Sequence, residues 1–232
     1  MTKSEAAKAF LDLSAQLRHE KLLDNGAVQA ALRGEGQTIY LAELSGADMT
    51  MQELAADGAN EPFLAAFSIK PEAKAVLLLA GNYALKVANS MTSLIAELDD
   101  MAQIVGLTAR TASTLEPGEL ARCLKNRNSC FVRGAGMLVT GRSLSEAITG
   151  AILLEKAAMT HILAQKIGGA KRVPLFSAAL MHYIYQKKYS KINLAAETQD
   201  KEQTTPSAQP ERSEREQKLR EDIIRFGNRL VE

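Results

Sequence analysis

The side chains able to do chemistry in this chain are few and widely spaced. Three histidines occur, His19, His161 and His182. A neutral imidazole can ligate zinc or move a proton near neutral pH, but a metal face needs its ligands grouped, for instance at i and i+4. These three fall on separate stretches, and each reads as a surface or boundary residue of an amphipathic helix. Cys123 and Cys130 are the only thiols. Neither has metal-ligand spacing, so they read as small core hydrophobes with no disulfide. Gly81-Asn82-Tyr83 stands where a strand meets a helix, a place where free helix N–H groups can hold a small anion. The competing reading makes Gly81 and Asn82 plain cap residues. Gly134-Ala135-Gly136 is a tight turn whose glycines permit positive φ, or a loop that touches a ligand. Arg122, Lys125, Arg127 and Arg133 either meet a phosphate or form a solvated basic face.

Those residues are held by a recognisable order of elements. Helical spacing of Ala7, Phe10, Leu11, Leu13, Leu17 and Leu22 predicts a helix over 4–24, ended by Asn25-Gly26. Strands over Ala27 to Leu32 and Gln37 to Ala42 flank an R-G-E-G turn, and a helix follows over Glu61 to Ile69, stopped by Pro71. Ala75 to Ala80 is apolar without alternation, which suits a strand buried on both faces. A helix from Tyr83, a second over Leu94 to Ile104, and a third opening at Gly118 lead to a strand at Cys130. The stretch from Arg133 to Lys156 then reads as the turn, a strand ending at Gly141, and a long helix. Ser143 and Glu146 form a capping box at its start. Gly168-Gly169 ends it, and Val173-Pro174-Leu175 opens a C-terminal segment in which Tyr183, Tyr185, Tyr189, Lys187, Lys188 and Lys191 suggest an intersubunit contact.

From Ala195 to Arg215 the composition turns to Glu, Gln, Thr, Ser, Pro and Lys, predicting a flexible linker. Residues 216–232 then resume an amphipathic helix, with Ile223, Ile224, Phe226 and Leu230 matching Phe10, Leu11, Leu13 and Leu17 at constant offset. It is the start of a second copy in a tandem protein, or a terminal helix that docks on a neighbour. A formal net charge of +1 gives no reason to expect nucleic acid or an anionic membrane. The opening residues lack the apolar core of a signal peptide, and no run approaches the roughly 20 apolar residues of a bilayer span. A cytoplasmic protein is expected.

Several segments together resemble one family. Cys130-Phe131-Val132-Arg133, Gly136-Met137-Leu138-Val139, Gly141 and Leu144-Ser145-Glu146-Ala147 look like the strand, His-Gly, strand, Gly and Leu-x-x-Ala helix of the class II aldolase/adducin family. That family includes L-fuculose-phosphate aldolase and L-ribulose-5-phosphate 4-epimerase. Lys70-Pro71-Glu72-Ala73-Lys74-Ala75-Val76 resembles the Arg-Pro-Asp-x-x-Ala-Val leading into its His-x-His. Ser45-Gly46 and Met49 to Leu54 resemble its Ser-Gly and Leu-Thr-x-x-Asp-Leu. Over about residues 8 to 185 the resemblance implies a three-layer α/β/α domain with a central, mainly antiparallel sheet, here 1–194.

The resemblance also implies a site that this chain alters. The family's metal-binding histidines, which hold zinc or another divalent metal, fall on Leu78, Ala80 and Ala135, and its catalytic glutamate on Ala59. Gly26-Ala27-Val28-Gln29 keeps only the glycine of the phosphate-binding Gly-Asn-x-Ser. No metal or catalytic residue is therefore expected, and Gly81, Asn82, Gly134 and Gly136 remain the candidate ligand contacts. The expected role is a catalytically inactive, structural, oligomerising or regulatory unit. It would act as a homo-oligomer, a tetramer by resemblance, or beside an active aldolase-like partner. The alternatives are a metal-dependent sugar-phosphate aldolase or epimerase with a non-standard site, and an anionic-metabolite binding domain.

Overall fold

The computed structural model describes residues 1–24, 26–36, 38–46, 48–54 and 61–185, the side chain of Glu61 excepted. Ala59, the linker over 195–215 and the terminal helix over 216–232 lie outside the described residues, as do Tyr189, Lys187, Lys188 and Lys191.

Among the described residues eight strands form one sheet: β1 Val28–Arg33, β2 Ile39–Ser45, β3 Asp48–Leu54, β4 Ala75–Leu79, β5 Ser93–Ile95, β6 Thr108–Ala112, β7 Ser129–Val132 and β8 Gly136–Gly141. Their order is β3-β2-β1-β4-β8-β7-β6-β5. Every neighbouring pair is antiparallel except β6 and β7. The sheet is thus mainly antiparallel, and helices cover both faces.

Pleating sorts the side chains of the central strands. On β4, Ala75, Leu77 and Leu79 join one apolar cluster while Val76 and Leu78 join the other. The first cluster includes Phe10, Leu13 and Leu17 of α1 (Lys3–His19), Ala84, Val87 and Ala88 of α3 (Asn82–Ser90), and Ala147, Ala151 and Leu154 of α5 (Leu144–Gln165). The second includes Phe63 and Phe67 of α2 (Glu61–Ile69) and Leu120 and Leu124 of α4 (Pro117–Leu124). All five residues of β4 are buried, which explains why its sequence does not alternate. α6 (Leu175–Ile184) packs against a single wide turn of π-helix, Met101–Val105.

Three sequence expectations are corrected. The first helix stops at His19 rather than reaching residue 24; Lys21 takes φ 58° and the chain turns, still burying Leu22 and Leu23. The helix expected over Leu94 to Ile104 divides into β5 and the π-turn, because residues 93–95 pair with 108–110 of β6. In place of the full capping box, Ser143 Oγ accepts from the Glu146 amide at 3.1 Å, while Glu146 Oε2 accepts from the amide of Arg142 at 2.7 Å, one residue before the cap. α5 is long and apolar enough to cross a bilayer. It is a core helix here, lying along β8 and β4.

Candidate functional site

The site forms where the end of β4 meets the start of β8. In the antiparallel register Leu78 pairs with Leu138 and Leu79 with Met137. One step further the two backbones touch. A Cβ on Gly136 would run into the carbonyl oxygen of Leu79 and lie 2.7 Å from Ala80 Cα, and Gly136 has φ 99°. Any side chain at 136 would pry the strands apart, so glycine is required there. Leu78 faces the α2 and α4 layer, and Ala135 packs against the same cluster. The structure therefore brings Leu78, Ala80 and Ala135 to one end of one strand pair. Gln29 of β1, in the stretch that replaces the phosphate-binding segment, pairs with Leu78 of the neighbouring β4.

The chemistry of this corner follows from its side chains. A divalent cation needs nitrogen, oxygen or sulfur donors, and Leu78, Ala80 and Ala135 present only hydrocarbon. Among the described residues no group of three or more His, Cys, Asp and Glu could hold a metal ion. Zinc does not fit this donor set.

The histidines serve elsewhere. His19 ends α1, exposed. His161 Nδ1 lies 2.9 Å from Glu97 Oε1, in a pair whose side chains are 14% and 7% exposed. His182 Nδ1 lies 2.7 Å from the carbonyl oxygen of Gln103. Both bind the segment that runs through the π-turn, and they tie α5 and α6 to it. Glu97 Oε2 is buried with no partner.

The start of α3 holds the residue that sequence reasoning missed. Gly81 is the N-cap and makes no side-chain cap bond. The cap comes from α5 instead: Glu155 Oε1 accepts from the Tyr83 amide and Oε2 from the Ala84 amide, each at 2.8 Å. A Cβ on Gly81 would collide with that carboxylate. Asn82 is exposed beside it. The two amides an incoming anion would need are already held by a built-in one, placed where the helix dipole favours negative charge. Glu155 could have been noticed as the lone acid in the apolar stripe of α5.

The glycine turn and the basic cluster are also tied inward. Gly134, at φ 74°, donates its amide to Asn89 Oδ1 at 2.9 Å, and Arg133 Nη1 donates to the Asn89 carbonyl at 3.1 Å. Arg122 bonds Glu119 and the Thr111 carbonyl, and Arg127 bonds the Thr108 carbonyl and hydroxyl. These guanidinium groups clamp backbone rather than wait for a phosphate. The hydrogen bonds from Arg122 and then from Ser113 hold the Glu119 carboxyl down from 4.5 to about 2. Burial pushes both thiols up, Cys130 the further.

Comparison with known proteins agrees with this architecture. Residues 37–162 match the family model described as Class II Aldolase and Adducin N-terminal domain. No curated protein matches the sequence. Among solved structures, an L-fuculose 1-phosphate aldolase superposes with a TM-score of 0.68 at 15% identity, covering 80% of this chain and 98% of that one. The L-fuculose-1-phosphate aldolase of Thermus thermophilus gives 0.59 at 17% identity, covering 71% and 97%. That of Glaciozyma antarctica gives 0.58 at 17%, covering 85% and 94%. At such identities the likeness concerns the fold.

Proposed function

The chain belongs to the class II aldolase and adducin N-terminal domain family, and from that premise we propose that it is a member without metal chemistry of its own, serving assembly or the regulation of a partner. One observation carries this reading. The corner where the resemblance puts three imidazoles holds Leu78, Ala80 and Ala135, gathered by the β4 and β8 register. A zinc-dependent lyase needs ligands on one face, an open metal position that polarises the substrate carbonyl, and a carboxylate to move protons. Hydrocarbon side chains neither ligate nor titrate. The engagement of the α3 amides by Glu155 supports the same reading, since a phosphate arriving there would meet a carboxylate. The partner is a further copy of the chain or an active aldolase-like one, in the cytoplasm.

The test uses the purified full-length chain. After equilibration with zinc and desalting, metal content well below one per chain is expected, with no cleavage of L-fuculose 1-phosphate. Millimolar sugar phosphates should leave the melting temperature unmoved. One tightly held zinc per chain, lost on replacing His19, His161 or His182 by alanine, would overturn the proposal.

A further inference from the structure

The near-neutral total of this chain conceals a sorted arrangement of charge. Between Glu155 and Glu197 stand seven Lys and Arg and no Asp or Glu. Against +1 overall, the remaining residues therefore carry −6. The sorted stretch holds the end of α5, the turn over 166–174 and α6. Lys166, Lys171 and Arg172 are exposed in that turn. Among the described residues none of the three has an acidic partner, not even Asp99 or Asp100 in the segment beneath α6.

The same end of the molecule is apolar. Leu163 and Ile167 are exposed by 45 and 86%, Leu175 and Phe176 by 66 and 79%. Backbone contacts bring the two pairs to one level. The Val173 amide donates to the Ala96 carbonyl, and the next residue, Glu97, holds His161, so the start of α6 lies beside the last turns of α5. Between them the chain turns at Gly168 and Gly169, where a Cβ would meet nothing within 4 Å. α6 itself contains no Asp, Glu, Lys or Arg. Its inner side rests on the π-turn through Ala178, Met181 and His182, and Phe176, two residues before Ala178, lies on the opposite side. At roughly 200 Å² for a large side chain, the four leave about 550 Å² uncovered, a patch of the size that marks a docking surface.

We propose that this end docks on an anionic lipid bilayer. Ile167, Leu175 and Phe176 enter the boundary between headgroups and acyl chains, while Lys166, Lys171 and Arg172 meet the lipid anions. Charge complementarity identifies the occupant. A neutral apolar partner would leave three unpaired cations at the rim of the contact. An anionic surface satisfies them, and their long stems let the charged heads stay at headgroup level while the apolar tips go deeper. One apolar anchor alone holds a membrane only marginally, and a basic patch beside it supplies the second signal. The −6 carried by the rest of the chain is repelled by the same surface, so the molecule meets it with this end first. The inference goes beyond the metal-free reading and does not rest on it.

The chain lacks tryptophan, so Phe176→Trp places a single reporter on the surface. Titrating this full-length variant with vesicles of phosphatidylcholine and phosphatidylserine should shift its emission to the blue, and brominated acyl chains should quench it. Vesicles of phosphatidylcholine alone should do neither, and added salt should release the bound protein. Leu11→Trp, at an exposed leucine of α1, should show no shift. In vesicle flotation of the full-length chain, Lys171→Gln with Arg172→Gln should weaken binding about thirtyfold, about fivefold for each cation. Ile167→Asp with Phe176→Asp should weaken it at least about tenfold. All four side chains are exposed, so circular dichroism melts should match the wild type. No blue shift with the anionic vesicles, or equal binding to phosphatidylcholine alone, overturns the proposal. So does flotation indifferent to either double variant, which places the contact elsewhere. A reporter already blue-shifted without vesicles, more so at higher protein concentration, assigns the face to a protein and overturns it too. None of these results bears on zinc content, so the metal-free reading stands or falls separately.

Discussion

Replacing Glu155 by alanine tests how this site is held together. The substitution removes a carboxylate that accepts two amide hydrogen bonds at 2.8 Å. Hydrogen bonds to a charged group contribute about 1.5–3 kcal/mol each, and the loss of an ordinary cap costs about 1 kcal/mol. The two bonds share one carboxylate and are not additive, and water can reach the exposed Asn82 side. The net loss should be about 3 kcal/mol. For a domain of this size that lowers the melting temperature by about 6–12 °C, and hydrogen exchange should accelerate first at Tyr83 and Ala84. The fragment removed has the size and charge of acetate. Acetate should therefore restore part of the melting temperature in Glu155→Ala and do nothing for the wild type, with chloride of equal ionic strength as control. Glu155→Gln should fall between, because its NH2 group faces one of the two amides. A melting temperature within about 1 °C of the wild type, or unchanged protection at Tyr83 and Ala84, would refute the assignment of the cap.

Three further outcomes are expected. His161→Ala leaves Glu97 buried with neither oxygen paired and should cost about 3–5 kcal/mol in a chemical denaturation curve; His161→Ala with Glu97→Leu should recover most of it, and no recovery would deny the pair its role. Glu119, held low by Arg122 and Ser113, stabilises the fold above its unfolded value near 4.5, and that contribution fades as pH falls through about 2; an NMR titration midpoint near 4.5 would contradict this. Cys123 and Cys130, fully buried with their thiols pushed up, should resist a thiol reagent until the chain unfolds and then react together. Rapid labelling of native protein would count against their burial.

The legible parts of the sequence were those whose signals are local. The unalternating run in β4 announced a strand covered on both faces, and Ser143 with the apolar stripe after it announced α5. The glycines around Ala135 announced a turn, and both take positive φ. Residues 94–104 misled because L-I-A-E-L-D-D-M-A-Q-I continues the pattern of the family it resembles, while the decisive interaction of 93–95 is pairing with 108–110. β6 escaped notice because T-A-R-T-A is short and only partly apolar. At the site, the three hydrocarbon positions could be located by alignment of motifs. Glu155 stands out in the sequence only as an acid within the apolar stripe of α5; that it caps α3 could not be read, because its partners lie 71 and 72 residues away and no spacing rule reaches that far.

The middle of the sheet has a consequence for anyone who dissects this protein. β1 sits between β2 and β4, yet Val28–Arg33 precedes the matched span of 37–162. A fragment cut at those limits would lose an interior strand and bare the flanks of β2 and β4 to one another or to other molecules. β4 in turn finds its second neighbour only when β8 has been made, so a chain growing on the ribosome carries an open hydrophobic ribbon until about residue 141 emerges. Closing it depends on contacts distant in sequence, which makes folding slow and leaves the nascent chain dependent on protection from aggregation.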